Sequence, residues 1–362
     1  MKIAILAYSL DRNNAGISQY TRQLIMHLKK EHELTVVHLK KSDDPVYDGV
    51  KEILIPKIFH TSMLIRLYMN LFLRNPDVEV IYHPGPIGYF IKPKVPLVQS
   101  VHDLKPLKFP HLQNFVNRWA YRILTKWYIR TADSYVTLSE SSKKDICSML
   151  KVPPEKVFVT YLASSYSMPS DKEILRVKEK YSISYPYFIF VSTLAPSKNV
   201  VRMLEAFAKS GLPQHFVLVG SRDWKSEEVF EAIDRLKLSE RVHVLEKVPN
   251  EDISGLYAAS HALVFASLYE GFGLPIVEAM ACGCPVIASN ISSIPEVGGD
   301  AVLYVDPYDV DSIASAMKNV GSCRDELIRK GFEQAKKFSY EKTVVASIEA
   351  FNAAVNIGNA QN

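Results

Sequence analysis

Short apolar runs recur along the chain, separated by longer stretches in which apolar residues return every three or four positions. The short runs read as buried strands and the periodic stretches as helices with one apolar face. In the first half the strand runs span residues 2–7, 34–38, 79–82, 97–101 and 134–138, and the helical stretches 17–30, 61–74, 114–130 and 141–150. In the second half the strand runs span 187–191, 215–219, 242–245, 262–265, 286–288 and 302–305, with helices such as 200–210 and 224–238 between them. Alternation at this spacing predicts an α/β chain with a parallel, doubly wound sheet in each half. A chain of 362 residues is also longer than one core usually organises, so two domains are expected. The halves do not repeat each other. The polar stretch near 162–186 is the candidate boundary, which gives domains 1–165 and 187–339, a linker 166–186 and a terminal helical segment 340–362.

The most informative stretch is S-L-Y-E-G-F-G-L-P-I-V-E-A-M-A-C-G, from Ser267 to Gly283. Two carboxylates, Glu270 and Glu278, are eight positions apart, with Gly271-Phe272-Gly273 and then Pro275 between them. Proline is favoured where a helix starts, and Gly283 suits its stop. The unit therefore reads strand, glycine loop, helix, strand. Glu270 falls in the loop, where such sheets bind ligands, and Glu278 in the first turn of the helix. Glycine lets backbone N–H groups of Gly271 to Leu274 come close to a ligand, and a helix N-terminus favours an anion.

This stretch resembles the Glu-x7-Glu signature of the family-4 retaining glycosyltransferases. So do S-S-I-P-E-V (292–297), G-D-A-V-L-Y-V-D-P (299–307), F-S-Y-E-K-T (338–343), V-H-D-L (101–104) and A-G-I-S-Q-Y (15–20), so the resemblance covers nearly the whole chain. It implies the GT-B arrangement: two Rossmann-like domains facing across a cleft, the first binding acceptor and the second nucleotide sugar. It also implies a C-terminal helix that crosses back to the first domain. By the same resemblance Glu270 contacts the transferred sugar, Glu278 holds the ribose, and Lys198 in T-L-A-P-S-K-N grips the diphosphate. His102 lies near the sugar and phosphate, and Gly16 brings backbone close to the phosphates. A carboxylate accepts both O–H groups of a vicinal diol, which suits Glu278 to a ribose. The bland alternatives are a surface helix residue for Glu278, a loop charge for Glu270, a solvated lysine for Lys198 and a structural ring for His102. Asp103 reads as a loop or helix cap.

The chain departs from the family where many relatives carry an arginine beside the lysine. Thr193 and Ser197 occupy those places, and Arg222 in G-S-R-D-W is the candidate substitute. Glu270 and Glu278 do not read as a hydrolase pair, which must flank one bond. The resemblance implies retention without a protein nucleophile. The acceptor hydroxyl attacks from the leaving group's own face, and the phosphate takes its proton. No metal or other cofactor is expected, since Asp309-Val310-Asp311 precedes a helix where aspartate is an ordinary cap.

Charge changes the picture in one respect. Residues 1–165 carry 23 Lys+Arg against 14 Asp+Glu, a net of +9, while the whole chain is only +4. No nucleic-acid motif accompanies this basic half, so an anionic membrane surface is the candidate partner. Helix 114–130, with Arg118, Arg122, Lys126 and Arg130 four apart beside aromatic residues, suits that contact; a solvated helix face suits it equally. No apolar run is long enough to span a bilayer, and the start of the chain reads as a core strand rather than a signal peptide. Four cysteines without disulfide or zinc spacing fit a reducing cytoplasm. The reading is a metal-independent hexosyltransferase, cytoplasmic or peripheral on the inner face of the cell membrane. T-L-A-P-S-K-N with V-H-D-L resembles bacterial surface-polysaccharide mannosyltransferases, and by that resemblance the chain is expected to move a hexose, best taken as mannose from GDP-mannose, to a glycan or lipid-linked acceptor in surface-polysaccharide assembly. Its rivals are a transferase of another sugar, a non-catalytic partner subunit and an epimerase. No Gly-x-Gly-x-x-Gly follows either first strand, which disfavours a nicotinamide dehydrogenase.

Overall fold

The computed structural model describes residues 1–12, 15–74, 76–85, 89–110, 125 and 129–361. The chain forms two units, one of residues 1–162 with 340–362 and the other of 163–339.

The first unit is built on an all-parallel sheet of β1 (Lys2–Leu6), β2 (Glu33–His38), β3 (Lys51–Leu54), β4 (Val80–His83), β5 (Leu97–Ser100), β6 (Ser134–Thr137) and β7 (Val157–Val159). Their spatial order is β3-β2-β1-β4-β5-β6-β7, so the winding reverses between β1 and β4. Strands β1, β4, β5 and β6 are almost wholly buried, as parallel strands covered on both faces must be. The periodicity anticipated all of these except the edge strands β3 and β7.

The terminal helix Tyr340–Gln361 belongs to this unit. Ser347, Ala350, Phe351 and Ala354 are fully buried, and their i, i+3, i+4, i+7 spacing makes one helix face. The Phe351 ring packs 5.2 Å from Tyr82 of β4, and Ser134 of β6 donates to the Ala350 carbonyl at 2.8 Å. The terminal helix therefore packs on the first sheet, as expected. The basic helix 114–130 lies outside the described residues, apart from Thr125 and the stretch from Ile129 on.

The second unit holds β8 (Tyr187–Val191), β9 (His215–Val219), β10 (Val242–Leu245), β11 (Ala262–Phe265), β12 (Val286–Ser289) and β13 (Val302–Val305). Their order is β10-β9-β8-β11-β12-β13, all parallel. Here the winding reverses between β8 and β11. The core is formed by strand residues with no exposure, such as Phe188, Phe190, Leu218, Val264 and Ile287, and by Leu204 and Phe207 of the helix Val200–Ser210.

Residues 166–186, expected as a linker, are instead part of this second unit. Ser170 and Glu173 form a capping box that starts the helix Asp171–Lys180, which satisfies two end amides at once. The helix packs on Asn250–Ala259 through the fully buried Asp252. That carboxylate accepts from Arg176 at 2.7 Å, Lys180 at 2.5 Å and the Tyr181 hydroxyl at 2.8 Å. The segment looked like a linker because it is polar, and its polarity serves this anchor. Among the described residues no helix is long and apolar enough to cross a membrane.

Candidate active site

The loops leaving β8 and β11 flank the reversal in the second sheet, the place where open parallel sheets leave a crevice for ligands. After β8, Pro196–Lys198 makes one tight turn ending at Asn199, which has φ +62°. Its side-chain amide donates to the carbonyls of Ala266 at 2.9 Å and Pro307 at 2.8 Å. Asparagine tolerates this left-handed geometry better than most residues. It ties the β8 loop to the ends of β11 and β13. The Leu268 amide donates to the Ser197 carbonyl at 2.9 Å, so the two loops also join through backbone.

This framework brings Lys198 to Glu270, 72 positions later in the chain. The ammonium donates to both carboxylate oxygens, at 2.7 and 2.9 Å. Both side chains are largely buried, 16% and 11% exposed, and Lys198 also lies 5.7 Å from the centre of the Phe265 ring. Neither is the solvated charge of the bland alternative.

The start of the turn is fixed by two serines, and Ser292 Oγ also accepts from the Glu270 amide at 3.2 Å. Ser292 and Ser293 both donate to the Glu270 carbonyl, at 2.6 and 3.0 Å, and Ser293 also donates to the Phe272 carbonyl at 2.8 Å. The Phe272 ring is buried edge-on against Phe338, 5.5 Å away. Gly273 has φ +105°, which favours glycine, and a Cβ there would crowd the end of the Ile276 side chain at 3.3 Å. The helix Leu274–Ala281 follows, with Pro275 in its first turn. Pro275 brings no N–H and the Ile276 amide donates to the Gly273 carbonyl at 2.9 Å, so the Leu274 amide is the leading donor without an intrahelical acceptor, and the helix dipole adds partial positive charge at that end.

Glu278 lies one turn further into this helix than the sequence pattern placed it, and it is 7% exposed. The Tyr257 hydroxyl donates to its Oε2 at 3.2 Å. Burial pushes the Glu278 carboxyl up to about 7, and the Tyr257 hydrogen bond offsets only part of that. A buried carboxylate with one donor still has acceptor capacity to offer a ligand hydroxyl.

Arg222, the candidate second cation, is one strand away. The amide of Leu194, in the β8 loop, donates to the Ser221 carbonyl at 2.9 Å. The Arg222 guanidinium, however, pairs with Glu246 at 2.7 Å and stacks 4.1 Å from the Phe230 ring. Thr193 and Ser197 hold the other two positions, so Lys198 is the cation paired with Glu270.

In the first unit His102 follows β5. Its Nε2 donates to the Pro84 carbonyl at 2.6 Å, which leaves Nδ1 as a buried acceptor without a hydrogen-bond partner. Burial lowers its pKa, so the ring is neutral. The neighbouring buried cluster was not anticipated. Tyr8, His83 and Gln99 are linked by hydrogen bonds of 2.7 and 2.9 Å, and Gln99 also donates to the Gly85 carbonyl at 2.6 Å. This cluster and His102 together fix the turn after β4. Asp103 accepts from the Lys105 amide at 3.0 Å, which orders the loop before the helix Lys105–Lys108 and does not cap that helix. Gly16 lies exposed in the first turn of the helix Ala15–Leu28. A Cβ there would meet nothing within 4 Å, so the fold itself does not demand glycine. Asn13 and Asn14 of the same loop lie outside the described residues. Asp309 caps the helix Val310–Asn319 by accepting from the Asp311 amide.

Ser292, Ser293 and Asn199 are the positioning residues that the sequence did not reveal. The motif S-S-I-P-E-V contained the serines without their role, and Asn199 carried only the signal of following Lys198.

Two family models match the chain: Glycosyltransferase Family 4 over residues 15–163 and Glycosyl transferases group 1 over residues 171–345. O-antigen chain mannosyltransferase B of Escherichia coli is 30% identical, over 97% of this chain and 99% of its own. O-antigen chain mannosyltransferase RfbU of Salmonella typhimurium is 30% identical over 88% and 91%. Among solved structures, sucrose-phosphate synthase from Thermosynechococcus elongatus superposes with a TM-score of 0.77 at 18% identity, covering 97% of this chain and 98% of that one. That likeness shows the fold, the two-unit α/β architecture called GT-B.

Proposed function

The chain belongs to glycosyltransferase family 4, and from that premise we propose that it transfers mannose from GDP-mannose to a hydroxyl of a growing or lipid-linked surface glycan. The observation that carries the reading is the buried Lys198–Glu270 pair beside the amides of the Gly273 turn. A departing diphosphate needs positive charge and aligned donors in a site from which water is largely excluded, and losing one such donor typically costs about 3–4 kcal/mol. Lys198 supplies a full charge and the helix start supplies the donors. Glu270 holds the ammonium in place and offers its oxygens to the hydroxyls of the transferred sugar. Glu278 accepts the ribose diol, and nucleotide binding then favours its ionised form.

The step balances without a protein nucleophile. The bond from the anomeric carbon to the diphosphate oxygen breaks, and the acceptor oxygen bonds to the same carbon on the same face. The acceptor's proton passes to the leaving phosphate oxygen. Anomeric configuration is thereby retained. No metal takes part in this reading, since Lys198 and the turn meet the developing charge. Mannose is preferred because the similar full-length proteins are named as mannosyltransferases.

A thermal-shift panel of GDP-, UDP-, dTDP- and ADP-sugars tests the donor. A ligand that binds the folded state raises stability as RT ln(1+[L]/Kd). GDP-mannose should give the largest shift, and Glu270→Ala should abolish release of GDP. A larger shift with another base overturns the donor assignment. Undiminished turnover in Glu270→Ala overturns the site.

A further inference from the structure

Six exposed apolar residues of the first unit lie on the helix Ser62–Phe72 and the segments beside it, while Leu54, Met149 and Val345 are exposed elsewhere in the unit. Ile58, Met63, Leu67, Leu71, Phe72 and Ile91 are between 43% and 74% exposed. Met63, Leu67 and Leu71 are four apart on the helix Ser62–Phe72, which is the spacing of one helix stripe. The opposite stripe, Ile65 and Met69, is fully buried in the core, so this helix is apolar on both sides.

Its neighbours make the face continuous. The turn Lys57–Phe59 packs on the helix, with Phe59 5.2 Å from Tyr68 and 6.3 Å from Phe72. The segment carrying Ile91 runs beside the helix end. The Ile91 amide donates to Asn70 at 2.9 Å, and the Lys94 amide donates to the Arg74 carbonyl at 2.8 Å. An exposed cluster of this kind marks an interaction surface.

Charge indicates what covers it. Residues 53–76 and 80–102 contain Lys57, Arg66, Arg74, Lys92 and Lys94 and no Asp or Glu. Lys92 is paired with Asp133 at 2.6 Å. Among the described residues no salt bridge engages Lys57, Arg74 or Lys94. Glu52, Asp77 and Glu79 bound these segments, and Asp77 is paired with Lys2; an apolar stripe with these cations on its flanking turns matches a bilayer with anionic headgroups: the aliphatic side chains enter the boundary and the cations meet phosphates.

We propose that this face, carried by Ser62–Phe72 and its flanking turns, docks the chain on an anionic lipid surface. Its residues are not those of 114–130, to which the sequence alone pointed and most of which lie outside the described residues. The test is co-sedimentation of the full chain with vesicles of phosphatidylglycerol and phosphatidylethanolamine, against vesicles of phosphatidylcholine. The wild type should partition to the anionic vesicles at least roughly ten-fold better, and the double variant Leu67→Glu/Leu71→Glu should lose about that factor. Both positions are exposed, so the variant should keep the wild-type melting temperature and thermal-shift response to nucleotide sugars. A separate variant, Lys57→Glu/Lys94→Glu, should lose binding to anionic vesicles in the same way. Equal binding of wild type and the leucine variant refutes the proposal, as does failure of the wild type to bind either vesicle. A concentration-dependent dimer in sedimentation velocity, abolished by the leucine substitutions, would assign the face to a second copy of the chain and overturn it too. None of these outcomes bears on the transferase reading, whose donor is soluble.

Discussion

Glu278→Gln should stabilise the chain at alkaline pH while weakening nucleotide binding. The wild-type carboxyl is held at about 7 by burial, against an ordinary value of 4.5. At about 1.4 kcal/mol for each pH unit, ionising it in the folded chain costs about 3 kcal/mol more than in the unfolded chain. Below pH 4.5 both states hold the proton and no penalty arises. Between 4.5 and about 7 the unfolded state has released its proton and the folded state has not, so stability falls as pH rises. Above about 7 the full penalty is present. Glutamine preserves the shape and a partner for Tyr257 but carries no charge. Calorimetric melting at pH 5 and pH 8 should therefore show a smaller loss in the variant. For a unit of this size 1 kcal/mol corresponds to roughly 2–4 °C; about 2.5 kcal/mol of the penalty develops between pH 5 and pH 8, so the two declines should differ by roughly 5–10 °C. GDP affinity should show the reverse dependence. If the ribose diol binds the ionised form, wild-type affinity rises about ten-fold from pH 6 to pH 8, while the variant binds weakly at both. Identical declines in melting temperature would refute the buried, proton-holding carboxyl. A pH-independent GDP affinity in the wild type would refute its ribose role.

Lys198→Ala should lower kcat by about 10²–10³ with a smaller change in acceptor KM, measured by steady-state GDP release. Ser293→Ala removes the hydroxyl that holds the Glu270 and Phe272 carbonyls. It should cost about 1–2 kcal/mol of stability and reduce donor turnover without touching any ligand, as read by urea melts and the same kinetic assay. Asp252 is pushed up by burial, but its bonds to Lys180, Tyr181 and Arg176 outweigh this and hold it below the ordinary carboxylate range. Its contribution is therefore present above the ordinary carboxylate value and lost as pH falls through the lower folded one. Asp252→Asn should be less stable at pH 7 by about 2 kcal/mol and should show a shallower loss in acid melts. Gly220→Ala should fail to fold natively, because its Cβ would lie 1.9 Å from the Ser192 carbonyl oxygen at φ +154°; a wild-type circular dichroism melt would contradict that.

The strands that position the site were legible because they are buried on both faces. β8 and β11 read as continuous apolar runs, and both were located within a residue or so. β3 and β7 were not, because neither carries such a run: β3 is Lys-Glu-Ile-Leu, half of it charged, and β7 has only three residues, whereas the edge strands β10 and β13 were legible from four-residue runs rich in valine and leucine. Residues 166–186 were misread for a related reason, since their polar side chains converge on one buried carboxylate from another helix. The motif gave Glu270, Glu278 and the glycine turn, but not their environments. That Lys198 meets Glu270 depends on β8 lying beside β11, a matter of strand order rather than local pattern. The depth of Glu278 depends on the helix starting at Leu274 and turning its second turn inward toward Tyr257.

The most direct test of the phosphate cradle is a crystal structure of the chain with GDP. The account predicts the diphosphate against the amides at Gly273 and Leu274, with the Lys198 ammonium turned from Glu270 toward a phosphate oxygen and the ribose on Glu278. A diphosphate bound elsewhere, with Lys198 still closed on both oxygens of Glu270, would contradict it.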